Sequence, residues 1–149
     1  MATISGGAKA AAYLAKLSGS LKNDPVVKVG FLEGATYPDG TPVAAVAAFN
    51  EFGVPRRGQP PRPFFRNMIQ QKGPTWSAAI AGLMKAHNND VAKVLDLTGQ
   101  AVAGQLRQSI VDLVDPPLAP STVARKGNAK PLVDTGHMLN SVDYEVSDS

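Results

Sequence analysis

The chain has 149 residues, no cysteine and a net charge of +3 from 15 basic and 12 acidic side chains. This length predicts one domain (1–149) whose hydrophobic core is large enough to fold without a disulfide or a structural metal. The lack of cysteine excludes disulfides and thiolate metal sites. The first residues lack a basic stretch followed by an apolar run, and no window approaches the roughly 20 apolar residues of a membrane span. We therefore expect neither a signal peptide nor a membrane partner.

The charges are unevenly distributed along the chain. No acidic residue lies between Phe52 and Asp90, and the C-terminal end carries Asp143, Glu145 and Asp148. Opposite charges on different parts of a small chain favour head-to-tail attraction between copies. The alternative is that both sets form ordinary solvated surface. The basic residues of the middle stretch are Arg56, Arg57, Arg62, Arg66, Lys72 and Lys85.

The first third of the chain predicts a helix, a strand and a loop. Residues 8–17 are good helix formers with apolar side chains at helical spacing, which predicts an N-terminal helix within residues 1–24. Residues 25–32 are rich in β-branched side chains and partly alternate, as a strand does. Residues 33–42 hold glycines, prolines and an Asp-Gly dipeptide, which predict an exposed loop.

The middle of the chain predicts further helices. Residues 43–50 follow a proline suited to a first helical turn, and residues 64–71 suggest a short helical turn. Residues 74–84 predict a separate helix whose Trp76 belongs to the core. Residues 91–114 carry the strongest helical signal in the chain. Its expected buried face comprises Val91, Val94, Leu95, Val102, Leu106, Ile110 and Leu113.

The C-terminal part predicts a long loop, a short helix and a strand. Residues 115–131 form the loop, and its stretch 118–130 is expected to be irregular and engaged in contacts or mobile. Asp134 or Thr135 can cap a short helix that follows. Residues 140–146 alternate between apolar and polar side chains, which predicts a final strand.

Residues 53–66, here called the proline–arginine segment, are the most distinctive stretch. Prolines fix φ, remove backbone donors and push each preceding residue toward extended geometry. Four arginines and two adjacent phenylalanines accompany them. We therefore predict a stiff, extended, cationic arm that suits docking on a neighbour better than catalysis.

Catalytic and metal-binding patterns are weak. His87 and His137 are far apart in sequence and neither has a second histidine nearby, so a zinc site is not expected. Asp134, His137 and Ser141 lie close together and superficially suggest a hydrolase, but no nucleophile-elbow motif accompanies them. No dinucleotide or phosphate-loop motif is present in the sequence. We predict no cofactor and no enzymatic activity.

A nucleic-acid interface is the main alternative from composition. Arg56, Arg57, Arg62 and Arg66 interleave with aromatic residues, and arginines with aromatics can hold phosphates and stack on bases. The competing interpretation is that the phenylalanines anchor the segment while its arginines pair with carboxylates of a neighbour.

Two phrases of the chain carry a family resemblance. The first is Asn50-Glu51-Phe52-Gly53 followed by Pro60-Pro61-Arg62-Pro63-Phe64-Phe65-Arg66, ahead of the long helix. The second is Pro131-Leu132-Val133-Asp134-Thr135-Gly136-His137-Met138-Leu139-Asn140-Ser141. Together they resemble the neck and tail-completion proteins of tailed bacteriophages, including minor tail proteins of the lambda Z type. The resemblance covers most of the chain, about residues 26–146.

This resemblance implies an α+β domain that forms a homo-oligomeric ring, six- or twelve-fold, at the phage head–tail junction. A small antiparallel sheet would pack against one long amphipathic helix and shorter helices. The implied partners are the connector or head-closure proteins, the tail tube or terminator, and passing genomic DNA held by charge through Arg57, Arg62 and Lys126. A tail-terminator or minor tail protein is the alternative role, and assembly would take place in the bacterial cytoplasm. Expected interface residues are Arg56, Arg57, Pro61, Arg62, Pro63, Phe64, Phe65, Arg66, Leu118, Arg125 and Lys126.

Overall fold

The computed structural model describes residues 7–20, 25–31, 33–127, 129, 131–132 and 136–147. These residues form an α+β fold, as predicted, with six α-helices, one short 3₁₀ helix and two antiparallel strands. Within them, no helix is both long and apolar enough to cross a bilayer. In chain order the elements are α1 (Gly7–Ser20), β1 (Val26–Phe31), α2 (Val43–Phe52), the 3₁₀ helix (Pro55–Arg57), α3 (Phe64–Ala86), α4 (Val91–Asp112), α5 (Pro120–Lys126), α6 (His137–Asn140) and β2 (Val142–Ser147).

The sheet pairs a strand near the start of the chain with one near its end. Its strands β1 and β2 pair in antiparallel register from Val26 opposite Ser147 to Phe31 opposite Val142. Both strands occur where the sequence predicts them. Because one face of the sheet packs on α4, the inward side chains of both strands join the core.

Helix α4 lies at the centre of the core. Its first turn is capped by Asp90, whose carboxylate accepts the backbone N–H of Lys93 at 3.1 Å. The predicted buried face is confirmed over most of its length, although Leu95 is only half-buried. The side chains that α4 buries are Val91, Val94, Thr98, Val102, Ala103, Leu106 and Ile110.

The closest packing of helix against sheet occurs at Gly99. A Cβ added there would overlap the ring of Tyr144 on β2, so only glycine permits this approach. The hydroxyl of Tyr144 donates to the carboxylate of Asp96, one turn earlier on α4, at 2.6 Å. That hydrogen bond raises the pKa of Tyr144.

The prediction of a short helical turn at residues 64–71 and a separate helix at residues 74–84 is wrong, because the single helix α3 covers both. It runs unbroken for 23 residues and holds Pro74 in its interior. The Thr75 hydroxyl donates to the carbonyl of Lys72 at 2.7 Å, and the Trp76 indole donates to Gln105 on α4 at 2.8 Å. Packing against α4 therefore allows the helix to continue through Pro74, although proline is unfavourable in the interior of a helix. Trp76 lies half-buried against the core, as predicted.

The loop predicted for residues 115–131 also contains more order than expected. Seven of its residues form α5, which begins at Pro120, a residue suited to a first helical turn. Gly127 ends the helix in the left-handed conformation with φ of 76°. The prediction of an irregular stretch over residues 118–130 is therefore wrong for most of its length.

Candidate assembly surface

The proline–arginine segment is not an extended arm. Backbone hydrogen bonds join Val54 and Gln59 in both directions, at 2.9 and 3.2 Å, and close a loop around the 3₁₀ helix. Its last three residues already belong to α3, which begins at Phe64. The prediction of extended geometry over residues 53–66 is therefore wrong, because hydrogen bonds across the loop override the preference of the prolines.

The loop is fastened to the end of α2. Gly53 has a φ of 74°, and a Cβ there would lie only 2.7 Å from the backbone nitrogen of Pro61. Asn50 accepts the side-chain amide of Gln59 at 3.2 Å, and its carbonyl accepts the backbone N–H of Arg62 at 2.7 Å. Asparagine and glycine of the first phrase thus hold the segment against its own subunit.

Glu51 connects α2 to α3. Its buried carboxylate accepts the backbone N–H groups of Phe65 at 2.9 Å and Arg66 at 3.2 Å. The first turn of α3 contains no acidic residue of its own, so Glu51 supplies the negative charge that a helix N-terminus favours. Arg66 completes the arrangement: its Nε lies 2.7 Å from the same carboxylate, and its guanidinium lies 5.1 Å from the ring centroid of Phe52.

Two of the predicted interface residues are buried in their own subunit. Phe64 is only 1% exposed and meets Phe31 edge-to-face, with ring centroids 6.2 Å apart. It is therefore a core residue, and its prediction as a surface anchor is wrong. Arg62 is 7% exposed, which also rules it out as a channel-facing residue in this subunit.

The burial of Arg62 leaves one nitrogen of its guanidinium without a partner. Its Nε is enclosed without a hydrogen-bond partner in the part of the chain that the structure describes. Burial lowers the pKa of the guanidinium.

The remaining predicted residues of the segment stay at the surface. Arg56, Arg57 and Pro61 are exposed, whereas Pro63 and Phe65 are half-buried. The Arg66 side chain is partly exposed, although Glu51 neutralises it. The 3₁₀ helix thus presents two exposed arginines that have no ion pair within the described part of the chain.

The second predicted contact region lies elsewhere on the surface. Arg125 is exposed, Leu118 is half-buried, and the ammonium of Lys126 donates to the carbonyl of Pro131 at 3.4 Å. A groove of about 640 Å³ has both Lys126 and Asn50 in its wall. The groove thus places Lys126 near the end of α2, and none of its lining residues belongs to the proline–arginine segment.

An aromatic surface on α2 escaped the sequence analysis. The buried residues of α2 are Val43, Ala47 and Glu51, spaced four apart, which leaves two phenylalanines outside. Phe49 is 53% exposed and Phe52 is 65% exposed, and their spacing of three residues makes them neighbours on the helix.

Phe52 also borders an apolar groove, here called the aromatic groove, of about 250 Å³. Ala44 and Ala48 line one wall, and Phe31 and Phe65 line the other, with the Glu51–Arg66 ion pair at the rim. A contiguous apolar patch of this kind on a small soluble domain marks an interaction surface. We call the surface formed by Phe49, Phe52 and this groove the aromatic face.

Ser141 and His137, two of the three residues that superficially suggest a hydrolase, make hydrogen bonds to backbone carbonyls. The Ser141 hydroxyl donates to the backbone carbonyl of His137 at 2.7 Å, and the His137 ring contacts the carbonyl of Thr36 at 2.8 Å. Neither contact is the serine-to-imidazole hydrogen bond of a nucleophile and its base. Asp134 lies outside the described residues, and so does Thr135 of the predicted cap.

The described part of the chain contains no cluster of three or more histidine and carboxylate side chains able to hold a metal ion. Comparison of the chain with protein-family models, with curated proteins and with solved structures yields no match.

Proposed function

We propose that this chain is a non-catalytic structural protein of the head–tail junction of a tailed bacteriophage, where its copies form a neck, collar or tail-completion ring. The two sequence phrases that resemble this group support the proposal. The first phrase has a defined structural use in the chain, since its asparagine, glutamate and glycine assemble the α2–α3 unit. Family resemblance and local geometry thus concern the same residues.

The aromatic face is the observation that carries the proposal. Two phenylalanines more than half exposed, beside an apolar groove, are costly in a subunit that stays alone. Large aromatic side chains are typical anchors of protein interfaces, and arginines are typical of their borders. Here the exposed Arg56 and Arg57 lie on the neighbouring loop and supply such a border.

A contact between two different surfaces of one protein, repeated by rotation, closes a ring. The proposed partners are therefore further copies of this chain and the adjoining connector and tail proteins. Exposed Arg57 is the remaining candidate of the segment for holding passing DNA by charge. The nucleic-acid-binding alternative loses support, because Arg62 is buried and Arg66 is neutralised.

The test compares the wild-type chain with Phe49→Ser/Phe52→Ser. Light scattering during gel filtration gives the mass of the assembly, and a tagged chain is traced in phage particles. We expect a wild-type oligomer that enters particles, and a double variant that folds with the same circular dichroism spectrum but no longer enters particles. Ile69→Ser, which removes an exposed apolar side chain on α3, is the matched control and should assemble. A wild-type chain that is monomeric and absent from particles would overturn the proposal.

A further inference from the structure

Helix α1 is largely exposed within the described part of the subunit. Every described side chain from Gly7 to Lys16 is exposed, and Leu14 is 61% exposed. Its contacts include a hydrogen bond from the Asn89 amide to the Tyr13 hydroxyl, and Leu17 is half-buried. Since isolated helices of about 14 residues are marginal in water, α1 needs a further surface to cover its apolar side.

A groove between α3 and α4, here called the helical groove, offers such a surface. Its volume is about 610 Å³, and Met68, Ala101, Gly104 and Val114 are among its apolar lining residues. A Cβ added at Gly104 would meet no atom within 4 Å, so this part of the wall is open. Small residues allow another helix to approach closely.

Charge and length match α1 to this groove. The charged residues of α1 are Lys9 and Lys16, whereas Asp112 and Asp115 line the groove together with Lys72. Helix α1 is about 21 Å long, and the part of α4 that lines the groove, from Ala101 to Asp112, is about 17 Å long. The aromatic groove fits less well, because its one carboxylate, Glu51, is already paired with Arg66.

The helix of the same subunit does not occupy this groove. Tyr13 contacts Asn89, directly before the first residues of α4, whereas Gly104 lies 15 positions further along. At the rise of an α-helix this separation is about 22 Å. An α1 helix that docked in this groove would therefore come from another molecule.

We propose that α1 of one copy docks in the helical groove of the next copy, with Lys9 and Lys16 facing Asp112 and Asp115. The inference rests on the self-assembly in the proposed function and names its contact. Because the two surfaces differ and lie at opposite ends of α4, the contact is head-to-tail and can repeat around a ring.

The absence of cysteine from the sequence makes a clean cross-linking test possible. Leu14 lies between Lys9 and Lys16, and exposed Val114 lies between Asp112 and Asp115. Chains carrying Leu14→Cys are therefore mixed with chains carrying Val114→Cys under mild oxidation and run on a non-reducing gel. We expect a disulfide-linked pair in the mixture and little in either chain alone. The matched control is Ala78→Cys, exposed on α3 outside the groove, which should not cross-link to Leu14→Cys. No cross-link, or equal cross-linking to the control, would overturn the inference. So would a disulfide within a chain that carries both Leu14→Cys and Val114→Cys.

Charge reversal gives a second readout. Lys9→Glu/Lys16→Glu should weaken self-association at least tenfold, and mixing with Asp112→Lys/Asp115→Lys should restore it. Loss without restoration would contradict the pairing. The two proposals can fail separately. If the wild-type chain forms an oligomer and enters particles but gives no cross-link, the proposed function holds and the α1 contact is wrong. If the chains cross-link but are absent from particles, the α1 contact holds and the proposed function is wrong.

Discussion

The carboxylate of Glu51 and the guanidinium of Arg66 form an ion pair of 2.7 Å at the point where α3 begins. The same carboxylate accepts two backbone N–H groups of that helix, so one buried side chain serves as helix cap and as counter-ion. The position of the loop between α2 and α3 therefore depends on the Glu51 carboxylate. The aromatic face therefore rests on a fixed support rather than on a free arm.

Replacing Glu51 by alanine should lower the free energy of unfolding by about 2–4 kcal/mol, because two backbone donors and Arg66 lose their acceptor. Urea denaturation followed by circular dichroism measures the change. Glu145→Ala, at an exposed position of β2, is the control and should stay within about 0.5 kcal/mol of wild type. Equal effects of the two substitutions would show that Glu51 does not hold the unit.

Two glycines of α4 should respond in opposite directions to alanine. Gly104→Ala should stabilise by about 0.5–1 kcal/mol, since alanine favours the helix and nothing lies near its Cβ. Gly99→Ala should destabilise by about 1–3 kcal/mol, because its Cβ overlaps the Tyr144 ring. Thermal melts of both variants check this. In a Tyr144→Ala background the cost at Gly99 should vanish, and its persistence would argue against the clash.

Tyr144 should make stability fall at high pH. Its hydrogen bond to Asp96 raises its pKa above the ordinary tyrosine value of 10.0, so the folded state holds the proton more firmly than the unfolded state. This contribution is complete below pH 10 and is lost as the pH rises through the folded-state pKa. Tyr144→Phe should therefore differ from wild type by a constant amount below that range and by less above it. Denaturation at several pH values tests this, and an unchanged difference above pH 10 would contradict it.

Arg62 should be a residue whose removal strengthens the subunit. Arg62→Met keeps an apolar stem and removes a buried charge without a described partner, so we expect a gain of about 1–3 kcal/mol in unfolding free energy. Arg66→Met is the contrasting variant and should destabilise, because Glu51 then stays buried without its counter-ion. Calorimetry of both variants decides the matter, and a loss at Arg62 equal to that at Arg66 would contradict the assignment.

The elements set by strong local pattern could be predicted from the sequence. The buried face of α4 repeats at helical spacing over several turns, and β-branched residues mark the strand that pairs with the last one. The sequence predicts two helical segments in place of α3, because Pro74 is unfavourable inside a helix. In the structure the packing of Trp76 on α4 outweighs that local cost. The helical turns of α5 were missed for a similar reason, since prolines suggested irregular chain.

The candidate site was harder to predict. The proline–arginine segment was recognised as distinctive, but its closure depends on hydrogen bonds from Asn50 and Glu51, which precede it in another element. Composition could not show which of the two adjacent phenylalanines enters the core, because that depends on where α3 begins. The aromatic face likewise follows from the burial of Glu51, an outcome of its ion pair rather than of hydrophobic pattern.

Electron cryomicroscopy of tailed phage particles that contain this chain tests the central claim most directly. The account predicts a closed ring of copies between head and tail, with Phe49 and Phe52 covered by a neighbouring protein. Particles whose junction lacks the chain, or a junction ring in which both phenylalanines face solvent, would contradict it.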